Sequence, residues 1–344
     1  MKRILTIVVK YVLAFGLAIF LLWWSLSDLN DQKIAEIKAA MKEAKYLLLF
    51  PTFIVLLLSH IFRALRWKQL IAPMGYNPSV FHLTCGILIG YIGNQLIPRA
   101  GEVLRCTTIS KPTKVPPEKL IGTIVAERAF DICCLLLITI GVFYHESSYI
   151  STYAHEIKSA MASGIANKKG KGWIALGVIA FILLIYLLYR RYKTHKVGGF
   201  LVKVFKGMAQ GLLSIKNVKN KFLFLVYTIG IWVCYAACTY IGCLALEDTA
   251  HLGVFAALAM LVFGTFGIIV APGGLGAYPI AIQKTLVLYG VTEAIGLASG
   301  WLLWIAQFLF TITFGTIAWL AVNFAKKKTD EERFIHPHQD QNAA

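Results

Sequence analysis

The chain has 344 residues, 58% of them hydrophobic and 15% charged, with a mean hydropathy of +0.68; soluble domains average about 45–50% apolar and about 25% charged. This excludes a soluble globular fold, intrinsic disorder, collagen and a small disulfide scaffold, and leaves an all-α polytopic membrane protein. The formal charge of +17 does not call for nucleic acid, because Lys and Arg gather in cytoplasmic loops that face anionic lipid head groups.

About 20 apolar residues cross a ~30 Å hydrocarbon core, and six segments qualify in chain order: 4–24, 46–62, 120–144, 173–189, 222–246 and 295–323. The first is too long for a signal-peptide core and lacks a small-residue cleavage site, so a retained anchor is expected. Residues 29–45 place Ile34, Ile37, Met41 and Ala44 at helical spacing, which predicts an outer surface helix. Two further apolar segments, 80–97 and 253–270, run into breaks. The first break holds Asn94, Pro98 and Gly101, and the second Pro272, Gly273, Gly274 and Gly276. A helix cannot be broken in lipid unless its freed backbone groups face protein or water, so each break predicts a re-entrant hairpin. Gly93 and Gly267 each stand five residues before the break proline, a correspondence that points to an inverted repeat. Interrupted segments at matching places in two halves mark transporter binding sites, while two kinked helices without a transport role account for the same pattern. From Phe200 an amphipathic pattern predicts an interfacial helix over about 200–216. The membrane domain is thus 1–325, and the polar tail 326–344 is expected to be disordered and cytoplasmic.

Charge fixes the expected orientation. With the amino terminus inside and two hairpins, 25 of the 34 basic residues fall on the inner side; Lys33, Lys38, Lys42, Lys45, Lys158, Lys168, Lys169, Lys171 and Lys284 fall outside. That bias predicts cytoplasmic amino and carboxy termini and a bacterial-type inner membrane.

Ionisable groups at membrane depth cost roughly 2.5–3.5 kcal/mol on insertion scales and often mark a pathway. One group surrounds the first break: Asn94, Arg99, Glu102 and Arg105, with Glu102 three residues from each arginine. A second is Glu127, Arg128 and Asp131, whose two carboxylates share a helical face and need arginines or a cation between them. Arg63 and Arg66 are further candidates, although with Trp67 they read more simply as snorkelling anchors beside an aromatic belt residue. Surplus guanidinium suits a phosphate, which its fork binds through two oxygens. A structural ion-pair network explains the carboxylates equally. The glycines after Pro272 suit either close helix packing or backbone contact with an anion. No catalytic motif, cofactor site or metal site is expected, and the seven cysteines lie mostly in apolar stretches.

Together these motifs resemble the lysylphosphatidylglycerol synthase transmembrane region family, or flippase-like membrane proteins: Arg63, Arg66 and Trp67; Gly90, Asn94, Pro98, Arg99, Gly101, Glu102 and Arg105; Glu127, Arg128 and Asp131; Pro272 to Gly276. The resemblance spans about residues 5–325. Larger members carry a soluble aminoacyltransferase domain; after Asn323 only a short tail remains here, so that activity is not expected to carry over. Family members often have an acidic residue soon after the glycine-rich break, where this chain has Ala277, Tyr278 and Pro279. The resemblance implies a non-enzymatic, flippase-like transporter of a phospholipid or polyisoprenoid-type lipid, with anionic or phosphate-bearing membrane lipids as partners. An integral-membrane enzyme acting on a lipid phosphate and a non-transporting scaffold of an envelope-synthesis complex are the alternatives. The sequence does not fix the oligomeric state.

Overall fold

A computed structural model describes residues 16–17, 19–27, 29–97, 100–146 and 218–335, with backbone only at Leu96, Lys111 and 325–335. The expected span 173–189, the interfacial helix at 200–216, and Pro98 and Arg99 lie outside the described residues. The chain divides into two compact units, Met1–Ile124 with Ile215–Ala344, and Val125–Ser214.

The described regular elements are all helical. Helix α1 (Asp31–Glu43) starts where the Asn30 side chain accepts the Lys33 amide at 2.8 Å. Its Ile37 and Met41 pack on a core that includes Leu246, Met260, Ile282, Leu286 and Leu302, as the apolar spacing predicts. Helix α2 (Leu49–Ile71) outruns the expected span 46–62. Arg63 and Arg66 are buried within the protein, so the helix continues past them until Pro73 and Gly75, whose φ is +86°. Helices α3 (Val80–Leu96) and α4 (Ala100–Thr113) flank the first break, and α5 (Pro117–His145) follows. After the second unit come α6 (Lys221–Cys243), α7 (Val254–Val270), the second break, α8 (Ala277–Leu288) and α9 (Glu293–Ile335).

Among the described residues three helical stretches are long and apolar enough to cross a membrane: Tyr46–Met74, Lys221–Cys243 and Glu293–Phe324. Their outer faces expose Phe50, Ile54, Phe222, Val233, Leu309 and Trp319, as a lipid-facing belt requires. The expected span 120–144 forms the continuous helix α5, but Glu127, Arg128 and Asp131 interrupt its apolar run. Helix α9 continues to Ile335, ten residues into the polar tail that begins at 326. That stretch is rich in Lys, Glu and Arg, which are good helix formers despite their polarity.

The same element order occurs twice. Helices α2 and α6 have 23 residues each, and α3 and α7 have 17 each. Both short helices end alike: Ile97 (φ −138°, ψ 119°) and Ala271 (φ −123°, ψ 146°) are extended. Their amides donate to Gly93 O at 2.9 Å and Gly267 O at 3.3 Å. Each precedes a proline, which pushes its neighbour out of the helical region. Helices α2 and α6 run antiparallel: the Thr52 carbonyl accepts from Cys238 Sγ at 3.5 Å, while farther along α2 Arg66 donates to Thr228 near the start of α6. Where the helices cross, Arg63 donates to Tyr235, a residue 172 positions away that holds the matching place in α6. The hairpins meet at their ends, with Gln95 Oε1 in the space that a β-carbon on Gly273 would need.

Candidate functional site

One face of α2 carries His60, Arg63, Ala64, Trp67 and Ile71 at helical spacing, all buried. Arg63 is 4% exposed and Arg66 and Trp67 are 0% exposed, which overturns the reading of these three as snorkelling interface residues. The helix turns this face towards α6 and the first hairpin instead of towards water. Arg63 Nη2 donates to Tyr235 Oη at 3.1 Å. Arg66 Nη1 lies 3.5 Å from Thr228 Oγ1, and its guanidinium stands 5.9 Å from the centre of the Phe224 ring. Thr228 in turn donates to the Phe224 carbonyl at 2.8 Å, so it can accept from Arg66 with no hydroxyl proton left over.

The first hairpin brings a third guanidinium to the same place. Gly101 lies against Gly90 O, and its amide donates to Asn94 Oδ1 at 3.0 Å, closing the two arms. A β-carbon on Gly90 would stand 3.2 Å from Arg105 Cβ. That close approach needs the glycine and sets Arg105 deep between the arms, 5% exposed. Its guanidinium lies 3.5 Å above the Trp67 ring. Trp67 Nε1 donates to Thr123 Oγ1 at 2.8 Å, and Thr123 donates to the Leu120 carbonyl at 2.7 Å. Glu102 is half-buried one turn before Arg105. Asn94, expected near a ligand, acts here as the latch of the hairpin.

Arg63 and Arg105 both lie within electrostatic reach of the His60 imidazole. His60 sits between the rings of Tyr91 (4.8 Å) and Phe310 (5.6 Å), 4% exposed, and its Nδ1 has no hydrogen-bond partner among the described residues. No sequence motif singles out His60, although its place one turn before Arg63 is a usable signal. Tyr235, Thr228 and Thr123 were not predicted either, and only the packing of α6 and α5 against α2 reveals them.

In the smaller unit Glu127 is fully buried, and Arg128 Nη1 approaches Asp131 Oδ2 at 3.8 Å across one turn of α5. Asp131 thus has a basic neighbour on its own helix.

At the second break Gly273, Gly274 and Gly276 all have positive φ (+60°, +73° and +73°). The Gly274 amide donates to Ala271 O at 2.9 Å and the Leu275 amide to Pro272 O at 3.3 Å, so these two N–H groups serve the turn itself. Trp304 Nε1 donates to Gly273 O at 2.8 Å. Gly276 leaves room for the backbone of Leu21 and Leu22, and Gly267 for that of Ala277 and Tyr278. Close packing therefore accounts for these glycines. No group of His, Cys, Asp and Glu among the described residues is arranged to hold a metal ion.

The buried arginines, the hairpin closed by Asn94 and the two glycine-lined breaks are built from the motifs Arg63 to Trp67, Gly90 to Arg105 and Pro272 to Gly276. The chain belongs to the lysylphosphatidylglycerol synthase TM region family, which matches residues 8–315. It is 23% identical over 277 residues to a UPF0104 membrane protein of Methanothermobacter thermautotrophicus, covering 70% of this chain and 75% of that one. A UPF0104 membrane protein of Methanocaldococcus jannaschii is 29% identical over 93 residues, 26% of this chain and 28% of the relative. Glycosyltransferase AglD of Haloferax volcanii is 24% identical over 99 residues, 28% of this chain and 16% of the relative. The chain thus spans only about a quarter and a sixth of the length of these last two. No solved structure matches.

Proposed function

We propose that the protein is a flippase-like transporter that moves a phospholipid or polyisoprenoid-type lipid between leaflets without chemical change, its phosphate held by Arg63, Arg66 and Arg105. The carrying observation is the burial of these three guanidiniums around the last turns of α2. Burying several cations in a membrane protein is costly, and guanidinium forks match phosphate oxygens. In this reading six helices span the membrane. The two broken helix pairs are re-entrant, enter from opposite sides and form an inverted repeat, which the antiparallel α2 and α6 and the meeting of the hairpin ends support. A headgroup would pass through protein while its tails stay in lipid, which avoids carrying its charge across hydrocarbon. Both termini are cytoplasmic, and the membrane is a bacterial-type inner membrane. Arg99, Glu102, Glu127, Arg128 and Asp131 are further candidate contacts, and Asn94 and Gly101 shape the first hairpin.

The test is reconstitution of the full chain into liposomes with fluorescent lipids of several headgroups, comparing wild type with Arg105→Ala and Asp131→Ala. Faster leaflet exchange for phosphate-bearing lipids that Arg105→Ala abolishes is the expected result. Exchange equal to that of empty vesicles removes the reading. A new lipid product formed in detergent would replace transport with enzymatic activity.

A further inference from the structure

We propose that Trp67 and Thr123 are positioning residues that fix the plane of the Arg105 guanidinium, so that a lipid phosphate is recognised by a rigid two-pronged fork and not by charge alone. The inference rests on the phosphate-binding role of Arg105 given above. Both ends of this side chain are constrained. Its Cβ lies over Gly90, where an added methyl group would stand 3.2 Å away, and its guanidinium carbon stands 3.5 Å from the centre of the Trp67 ring. That is too close for its N–H groups to point at the ring without overlap, so face-on stacking is the arrangement that fits.

A guanidinium stacked by its face engages the ring's negative π surface while its N–H groups point outward in the plane. Stacking therefore orients the donors without consuming them. The indole is itself oriented: Trp67 Nε1 donates to Thr123, and the Thr123 hydroxyl proton is committed to the Leu120 carbonyl at 2.7 Å. Thr123 can thus only accept from the indole, and a flipped ring would lose that bond inside a buried site. Trp67 is 0% exposed and Thr123 8% exposed, so water does not substitute for either contact. A residue needed only to fill this space would not require the N–H and its acceptor. Lysine at position 105 would keep the charge but have neither plane nor fork.

The experiment uses the full chain in liposomes with nitrobenzoxadiazole-labelled phosphatidylglycerol, and reads the half-saturating lipid fraction separately from the maximal exchange rate. Arg105→Lys and Trp67→Leu should each raise the half-saturating fraction about tenfold. Trp67→Phe, which keeps a ring face but loses the orienting bond, and Thr123→Val, which loses only that bond, should each raise it measurably, by about twofold to threefold. The double variant W67L/R105K should be no worse than either single one, because the fork has no value once its plane is free. Equal Arg105→Lys penalties in wild type and in the W67L background would overturn the proposal. Should Trp67→Leu fail to fold, Thr123→Val decides, and a half-saturating fraction identical to wild type overturns it. If Arg105→Ala abolishes lipid binding while Thr123→Val and Trp67→Phe leave both parameters untouched, only this inference fails. If wild type neither binds nor moves the labelled lipid, the transport reading fails and takes the inference with it.

Discussion

Replacing Gly101 by alanine should force the first hairpin open. The added methyl would overlap the Gly90 carbonyl oxygen and stand 2.6 Å from Asn94 Cγ and 2.7 Å from Asn94 Oδ1. Neither obstacle yields cheaply, because one is backbone and the other holds the Gly101 amide at 3.0 Å. Overpacking of this kind costs about 1–3 kcal/mol, and loss of the latch adds about 1 kcal/mol. The higher helix propensity of alanine returns about 1 kcal/mol. A net loss of about 2 kcal/mol is expected, measured as a lower thermal midpoint in detergent. Gly122→Ala on α5 is the matched control, since nothing stands within 4 Å of its added methyl; it should hold or raise the midpoint through propensity alone, by up to about 1 kcal/mol. Because Arg105 lies one turn along the displaced arm, Gly101→Ala should also weaken phosphate-lipid binding. A Gly101→Ala midpoint equal to or above that of Gly122→Ala would refute the hairpin contact.

Trp304→Phe keeps the ring contacts but leaves Gly273 O without its indole donor at 2.8 Å, and should lower the thermal midpoint by the equivalent of about 1 kcal/mol; an unchanged midpoint would mean that the bond does not anchor the second break. Glu293 joins Lys33 at 3.0 Å and Lys284 at 2.9 Å, tying α9 to α1 and α8. Its side chain is 44% exposed, so Glu293→Gln should cost less than about 1 kcal/mol, and the cost should vanish at high salt. A larger loss that is the same at low and high salt would contradict a solvent-screened pair.

Much of the fold was legible because the bilayer imposes length and continuity on apolar segments. The boundaries of α3 and α7 followed from the prolines, which end a helix through local sterics, and the match of Gly93 with Gly267 marked their like ends. The length of α2 was not legible. Arg63 and Arg66 look like the end of a span when burial is judged from hydropathy, and only α6 and the first hairpin make their burial tolerable. The site was legible by residue type and not by partnership. Arg105 stood out as a buried charge, whereas its contact with Trp67 depends on the separation of two helices that Gly90 and Gly101 set. Of the two readings that the sequence leaves open for the glycines of the second break, the positive φ values and close contacts supply the packing one.

The two sets of helices match in length and in their ends but not in chemistry, and this difference bears on how a transporter of the proposed kind could work. At the places in α6 that match His60, Arg63, Arg66 and Trp67 of α2 stand Trp232, Tyr235, Cys238 and Thr239. The first half therefore supplies the guanidiniums, and the described side chains of the second half include no arginine. A carrier with equal basic stations at both ends would hold an anionic headgroup equally well on either side. In the transporter proposed above, the buried guanidiniums capture the headgroup where α2 and the first hairpin converge. On the proposed function the polar end binds at one side and is released at the other, and the paired hairpins supply the matching geometry that lets a single path open towards each in turn.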